Sequence, residues 1–487
     1  MIQSSFMRSK VISNFISYGV DMFYVSLIGM LFYVLVGKMM HPADYGILMT
    51  VIALYLVISP LTAIGFNEAV ARFIPELLTK NKNKLKPTLK YVLKTSLVLT
   101  TAVSIIIYFL AEFIANTFYS NPLMIEPLKL FTLLLFTGTV SMVLKGVLQG
   151  FKMFKHMLGI DIISQTLRLG LPLLLIPMGY GLLGALSGWF VCFILISLLS
   201  IPFIIKAIPS GVGTGDKEIL KYGITSALSA SGIWLLIQTG VLILSTFDTY
   251  AAGLFSVVTV FGQIALFLPL VIMGIILPYV TEYLSSNAFG KAQRMVQFSL
   301  KNSVIFLLPL IITLVFFSRQ AITYIYTIEY IGAQSLLMPY LLGSVLLGLN
   351  LILMTVLYAG GLPVKRLKYT WFAVILNLIF SFGLFSIFGP IGIAYGFMIS
   401  QVILFVLISF RTYSKLKITF PRKILNSILP IILFYTMLFL IDRYYYGFKY
   451  ALMFLVISFV IYFGLLYLFK AIDRLDYEVI QTIFKRN

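Results

Sequence analysis

The stretch "HMLGIDIISQTLRLGLPLLLIPMG" (residues 156–179) is apolar along most of its length but carries an acid, Asp161, and a base, Arg168. A helix needs about 20 such residues to cross a bilayer, so the run is long enough to be a membrane span. The wider chain supports that reading. Its 487 residues are 60% hydrophobic and 11% charged, with a mean hydropathy of +1.03. That balance belongs to a polytopic membrane protein rather than a soluble domain. The net charge of +20 could suggest a nucleic-acid partner. Such binding needs a basic face on a soluble module, whereas the basic residues here sit in short loops between apolar runs. No nucleic-acid partner is expected. One cysteine, Cys192, excludes an internal disulfide and a multi-cysteine metal site.

Working outward from residue 156, the run lengths predict fourteen spans, beginning near Ser13, Ala43, Leu89, Leu123, Met157, Leu182, Glu218, Ala251, Ser299, Gly332, Leu367, Gly389, Lys423 and Tyr446. The first run is too long for a signal-peptide core and lacks a cleavage signature, so it reads as a retained span. Loop charge tests the count independently. With Arg8 and Lys10 placed in the cytoplasm, every second loop is basic, and 29 of the 36 Lys and Arg residues fall on one side. A missed span would invert that alternation for the rest of the chain. The pattern therefore predicts cytoplasmic termini and a plasma-membrane location.

The segment "KAIPSGVGTGDKE" (206–218) has the Gly and Pro content of a linker and falls after the sixth span. It divides the chain into an N-terminal six-helix lobe (1–206), a cytoplasmic linker (207–217), a C-terminal six-helix lobe (218–411), and helices 13–14 with a tail (412–487). The lobes resemble each other. "DYGILMTVIALY" (44–55) parallels "AAGLFSVVTVFG" (251–262), which matches Gly46 to Gly253. "GLLGALSG" (181–188) parallels "GPIGIAYG" (389–396), and both carry a Gly-x-x-x-Gly face suited to close helix approach. The offsets, 207 and 208, are nearly equal. Corresponding spans enter from the same side, so the expected repeat is parallel, with its pseudo-twofold axis along the membrane normal. The predicted fold class is all-α, with about fourteen transmembrane helices in two six-helix lobes plus two C-terminal helices.

An ionised side chain at the bilayer centre costs roughly 3 kcal/mol or more, so such residues face protein or a wet cavity. Asp161, Gln165 and Arg168 follow i, i+4, i+7 spacing and form one polar stripe. From the rise per residue, Asp161 lies about 6 Å deep and Arg168 about 16 Å deep. They are too far apart to pair with each other. Asp21, about 12 Å deep in the first span, is the expected protein partner of Arg168. The alternative is that Arg168 lines a cavity and attracts an anionic group, since its planar fork suits phosphate. Pro172 is expected to free the carbonyl of Arg168 and to kink the helix. Glu68 and Arg72, four apart, are expected to form a local pair at the cytoplasmic mouth, with a possible part in binding. Catalysis finds no support: the two histidines, His41 and His156, lack convergent partners, and there is no phosphate-binding glycine loop. No metal site and no cofactor beyond a coupling ion (H+ or Na+) are expected.

Several segments resemble a known family. "GKMMHPADYGILMTVIALY" (37–55), "GFNEAVARFIPEL" (65–77), "GVLQGFKMFKHM" (146–157) and "AAGLFSVVTVFGQIALFLPLVIMGIILPYVTEY" (251–283) are similar to polysaccharide flippases of the multidrug/oligosaccharidyl-lipid/polysaccharide exporter superfamily. The resemblance implies two lobes around a V-shaped cavity that opens alternately inward and outward, with cationic residues meeting a lipid phosphate. It also implies a monomer that moves a polyprenyl-phosphate-linked oligosaccharide between leaflets, with membrane lipids as its other partners. Arg168, Asp21, Asp161, Gln165, Arg72 and Glu68 are the candidate substrate-binding residues. The runner-up is a cation-coupled multidrug exporter that uses Asp21 and Asp161.

Overall fold

The computed structural model describes residues 2–209, 216–360, 363–416, 421–444 and 448–471. Among these there are helices and turns only. The helices are α1 (Ile2–Met39), α2 (Pro42–Thr62), α3 (Phe66–Lys80), α4 (Leu85–Thr117), α5 (Ile125–Gly150), α6 (Phe154–Leu175), α7 (Gly181–Ala207) and α8 (Glu218–Leu244). They continue as α9 (Thr249–Ser285), α10 (Phe289–Phe316), α11 (Ser318–Ile325), α12 (Gln334–Ala359), α13 (Pro363–Phe388), α14 (Pro390–Leu416), α15 (Ile428–Tyr444) and α16 (Phe448–Leu468). Among the described residues, eleven stretches are long and apolar enough to cross a membrane. One of them, Phe154–Ala207, contains both α6 and α7, and two shorter apolar helices lie in α15 and α16. These helices match the fourteen expected spans.

Two helices were not separated by run length alone. The second span breaks at Ile64–Gly65, where both residues take positive φ (53° and 59°), and continues as the amphipathic α3. Gly65 also lies against α8, so an added Cβ there would overlap the Gly223 carbonyl. The eight-residue α11 follows α10 after a one-residue break.

Packing divides the chain into two compact units, Met1–Ser256 and Val257–Asn487. In the first unit α8 packs on α2 and α3, and Ser231 Oγ donates to the Val57 carbonyl (2.7 Å). Of the expected linker, residues 210–215 lie outside the described residues. Asp216 N donates to Thr88 Oγ1 at the start of α4 (2.9 Å).

The glycine matches read from the sequence turn out to be packing sites. Gly46 at the start of α2 and Gly253 at the start of α9 face each other. A Cβ on Gly46 would overlap the Thr249 carbonyl, and one on Gly253 would overlap the Pro42 carbonyl. The contact is reciprocal, as a twofold relation requires. On α7, Gly184 meets Leu175 and Gly188 meets the Arg168 carbonyl and the Pro172 ring. On α14, Gly392 meets Leu384 and Gly396 meets Phe380 and Ser381 of α13.

In the second unit α15 and α16 form a hairpin on α10, with Phe434, Leu438, Tyr462 and Leu466 packed around Ile305. Tyr462 Oη donates to the Ile305 carbonyl (2.9 Å), and the buried Lys301 donates to the Ala471 carbonyl just beyond α16 (3.0 Å). A lysine beside the last carbonyls of a helix also complements the helix dipole.

Candidate functional site

The polar stripe on α6 faces protein, as its spacing predicts. Asp161, Ser164, Gln165 and Arg168 are all buried. α1 lies alongside α6, and three contacts fix their register. The Tyr18 ring meets Phe154 (5.2 Å), the Tyr24 hydroxyl shares a hydrogen bond with Thr166 Oγ1 (2.6 Å), and Phe32 lies against Arg168.

This register corrects one expectation. Asp21 lies level with Asp161, not with Arg168, and no Asp21–Arg168 ion pair occurs among the described residues. The physical reason is the register of α1 on α6. Phe32, eleven residues beyond Asp21, is the α1 residue that lies against Arg168, so counting depth from Ser13 placed Asp21 too far along the helix. Instead, Asp21, Asp161 and Lys145 interact as one charged cluster bordered by Tyr18 and Gln149. Lys145 Nζ donates to Asp161 Oδ2 (2.5 Å), while Asp21 Oδ1 and Asp161 Oδ1 have no hydrogen-bond partner. Lys145 is one of the basic residues that the loop-charge alternation assigns to the cytoplasmic side between the fourth and fifth spans. It lies within α5, near the Gly146 that lets that helix approach Asn67 of α3. No local sequence signal distinguishes it from a loop lysine.

Arg168 has a different setting. Its Nη1 donates to Gln165 Oε1 (3.1 Å), and its Nε has no partner. The guanidinium carbon lies 3.8 Å from the Trp189 ring centroid and 5.3 Å from that of Phe32. Tyr33 also interacts with it. Among the described residues the charge is therefore held by aromatic faces, the Tyr33 side chain and one neutral amide, with no carboxylate. The local sequence explains how Trp189 comes so close. Pro172 removes the amide that would bond the Arg168 carbonyl, and Gly188 lets α7 press against that turn. Trp189 follows directly, braced by Tyr55 and Phe193 (centroids 5.7 Å from each). Sequence reasoning missed Trp189, although its place beside Gly188 was a usable signal.

The expected Glu68–Arg72 pair is not formed. Glu68 Oε2 instead accepts a hydrogen bond from Ser226 of α8, and Arg72 stacks on Tyr222 of the same helix (4.6 Å). Helix α8 supplies closer partners than the next turn of α3 does. These two residues join α3 to α8 and are not brought to Arg168. Among the described residues, no three His, Cys, Asp or Glu side chains converge on a possible metal position.

The family described as "Polysaccharide biosynthesis protein" matches residues 11–283, more than half of the chain, a range that includes every candidate site residue. The chain belongs to this family. No curated protein matches this chain. Among solved structures, the lipid II flippase MurJ in an inward closed conformation is similar with a TM-score of 0.74 at 16% identity. The match covers 93% of this chain and 98% of that one. An inward-facing multidrug resistance MATE family transporter of the MOP superfamily matches with a TM-score of 0.68 at 16% identity, covering 81% and 95%. A MOP superfamily transporter from Pyrococcus furiosus gives 0.59 at 16% identity, covering 83% and 96%. This family member therefore has the fold these transporters share, with long apolar helices suited to a multi-pass membrane protein.

Proposed function

We propose that the protein is a flippase that moves a polyprenyl-phosphate-linked oligosaccharide from the inner to the outer leaflet by alternating access. One observation carries this reading: among the described residues Arg168 is a buried cation with no carboxylate partner, and its Nε–H is left over. An uncompensated buried charge costs several kcal/mol, so the site calls for an anion. A lipid phosphate fits, because it is accepted in parallel by a planar fork and travels with an apolar tail. Membership in a polysaccharide biosynthesis family and a fold like that of a lipid II flippase support the substrate class.

In this reading residues 1–206 and 218–411 act as two lobes, both termini are cytoplasmic, and the protein works as a monomer in the plasma membrane without catalysing a bond change. The Asp21–Asp161–Lys145 cluster is the proposed site for a coupling ion, H+ or Na+. Two facing carboxylates share one lysine there, which leaves room for one more positive charge. The decisive experiment is reconstitution with lipid-linked oligosaccharides extracted from the native host, scoring transfer of the head group. Transfer by the wild type and not by Arg168→Ala supports the proposal, and equal transfer by both refutes the site.

The same carboxylate cluster, with the likeness to a MATE transporter, favours a second reading as a cation-coupled drug exporter. Dye extrusion driven by an ion gradient, without head-group transfer, would select it.

A further inference from the structure

We propose that Trp189 is the second half of the anion site: its ring holds the Arg168 guanidinium flat, and its indole N–H donates to the same phosphoryl group. The inference rests on the reading of Arg168 as the phosphate ligand.

A buried guanidinium can be stabilised by a carboxylate, by water or by an aromatic face. A carboxylate would neutralise the charge and occupy two N–H groups. An aromatic face attracts the cation through its quadrupole and leaves the in-plane N–H groups free. The 3.8 Å approach of the Arg168 carbon to the Trp189 ring is of that kind. Of the five guanidinium donors, Nη1 is directed to Gln165, and Nε has no partner. Tyr33 is a further neutral partner, so Arg168 keeps its charge and an unpartnered Nε–H.

Holding the cation does not require an indole, since a phenyl ring would serve. Trp189 nevertheless carries a donor, Nε1, that is buried and without a partner. Buried polar groups are ordinarily hydrogen-bonded, so an orphaned indole N–H beside an orphaned guanidinium N–H needs explanation. One oxyanion accepting from both accounts for the two together. An indole N–H only donates, which excludes a cationic ligand and suits a phosphoryl oxygen. Tyr55 and Phe193 pack edge-on against the ring, and Gly188 fixes the approach of α7, so the donor is rigidly placed.

The test uses Trp189 as its own reporter. The chain has three tryptophans, so replacing Trp234 and Trp371 with Phe leaves Trp189 alone in the full-length protein. In nanodiscs, added polyprenyl phosphate should shift or quench its emission saturably, while the uncharged polyprenol should not. In the otherwise native protein, Trp189→Phe should weaken polyprenyl phosphate binding about tenfold, the size of one charge-assisted hydrogen bond. Trp189→Leu, which also removes the aromatic plate, should weaken it further. Unchanged emission and undiminished Trp189→Phe affinity, with polyprenyl phosphate still bound through Arg168, would overturn this inference and leave the flippase reading intact. Failure of the unmodified protein to bind polyprenyl phosphate at all would sink both. An equal response to inorganic phosphate would reassign the site to free anions and overturn the lipid assignment.

Discussion

The hairpins α6–α7 and α13–α14 are built alike but carry different chemistry. In each, two glycines four apart bring the second helix onto the backbone of the first. Gly184 meets Ile176 and Gly188 meets Pro172, whereas Gly392 meets Phe385 and Gly396 meets Ser381. The packed positions therefore correspond at an offset of 209, and one turn earlier Arg168 corresponds to Asn377. Where the first hairpin holds an arginine without a carboxylate, the second holds a neutral amide. Asn377 Oδ1 accepts from Ser381 Oγ (3.1 Å), and its Nδ2 has no partner. The helix-packing scaffold is thus separable from the charge placed on it, and the symmetry of the fold does not extend to the site.

The largest effect that tests this contrast is on Arg168. Arg168→Ala should reduce head-group transfer about 100-fold or more while the protein still inserts and folds, because a buried charged contact with substrate is worth roughly 3 kcal/mol. Arg168→Lys should recover only part of the activity, since an ammonium lacks the planar fork. Transfer by purified variants in liposomes measures both.

Lys145 comes next. Lys145→Met would leave Asp161, fully buried, facing Asp21 with no cation between them. Breaking a buried pair in this way should cost about 3 kcal/mol, read as a lowered unfolding temperature in detergent. Adding Asp161→Asn should restore most of the loss, because it removes the stranded charge. No such rescue is expected from swapping Asp21→Arg with Arg168→Asp, since those side chains do not meet.

These cases mark what the sequence could and could not reveal. Run lengths and alternating loop charge predicted the spans, because a bilayer imposes a length and a sign on each segment. The stripe Asp161–Gln165–Arg168 and the glycine faces were legible because helical period and close approach are local properties. The partners of Asp21, Lys145, Glu68 and Arg72 were not. They depend on the register of one helix against another, which contacts such as Tyr24–Thr166 and the break at Gly65 set. Only the close-approach Gly188 beside it could have singled out Trp189. A tryptophan in an apolar span looks the same whether it faces lipid or a cation.

The glycine pairs sharpen the comparison at an intermediate scale. Gly188→Ala and Gly396→Ala each push a methyl group into the backbone of the facing helix, and overpacking of this kind costs roughly 1–3 kcal/mol. Thermal unfolding in detergent should show similar losses for the two. Transfer should separate them, because only Gly188→Ala moves the turn that carries Arg168. Equal transfer defects would mean that hairpin geometry, and not the charge, limits the reaction.

The smallest expected effect is at Asn377. Asn377→Ala removes one side-chain acceptor, and Ser381 can turn its hydroxyl to a carbonyl one turn back in α13, as other serines in these helices do. The cost should be about 1 kcal/mol or less in stability, with transfer close to wild type. Asn377→Arg is the more demanding variant. It places a second cation at the position that corresponds to Arg168, in a setting with no tryptophan after the packed glycine, since Phe397 follows Gly396. If Asn377→Arg rescued Arg168→Ala, a charge in either hairpin would suffice, and the aromatic setting of Arg168 would be incidental. If it did not, the charge would be useful only where Trp189 can hold it flat and keep its donors free.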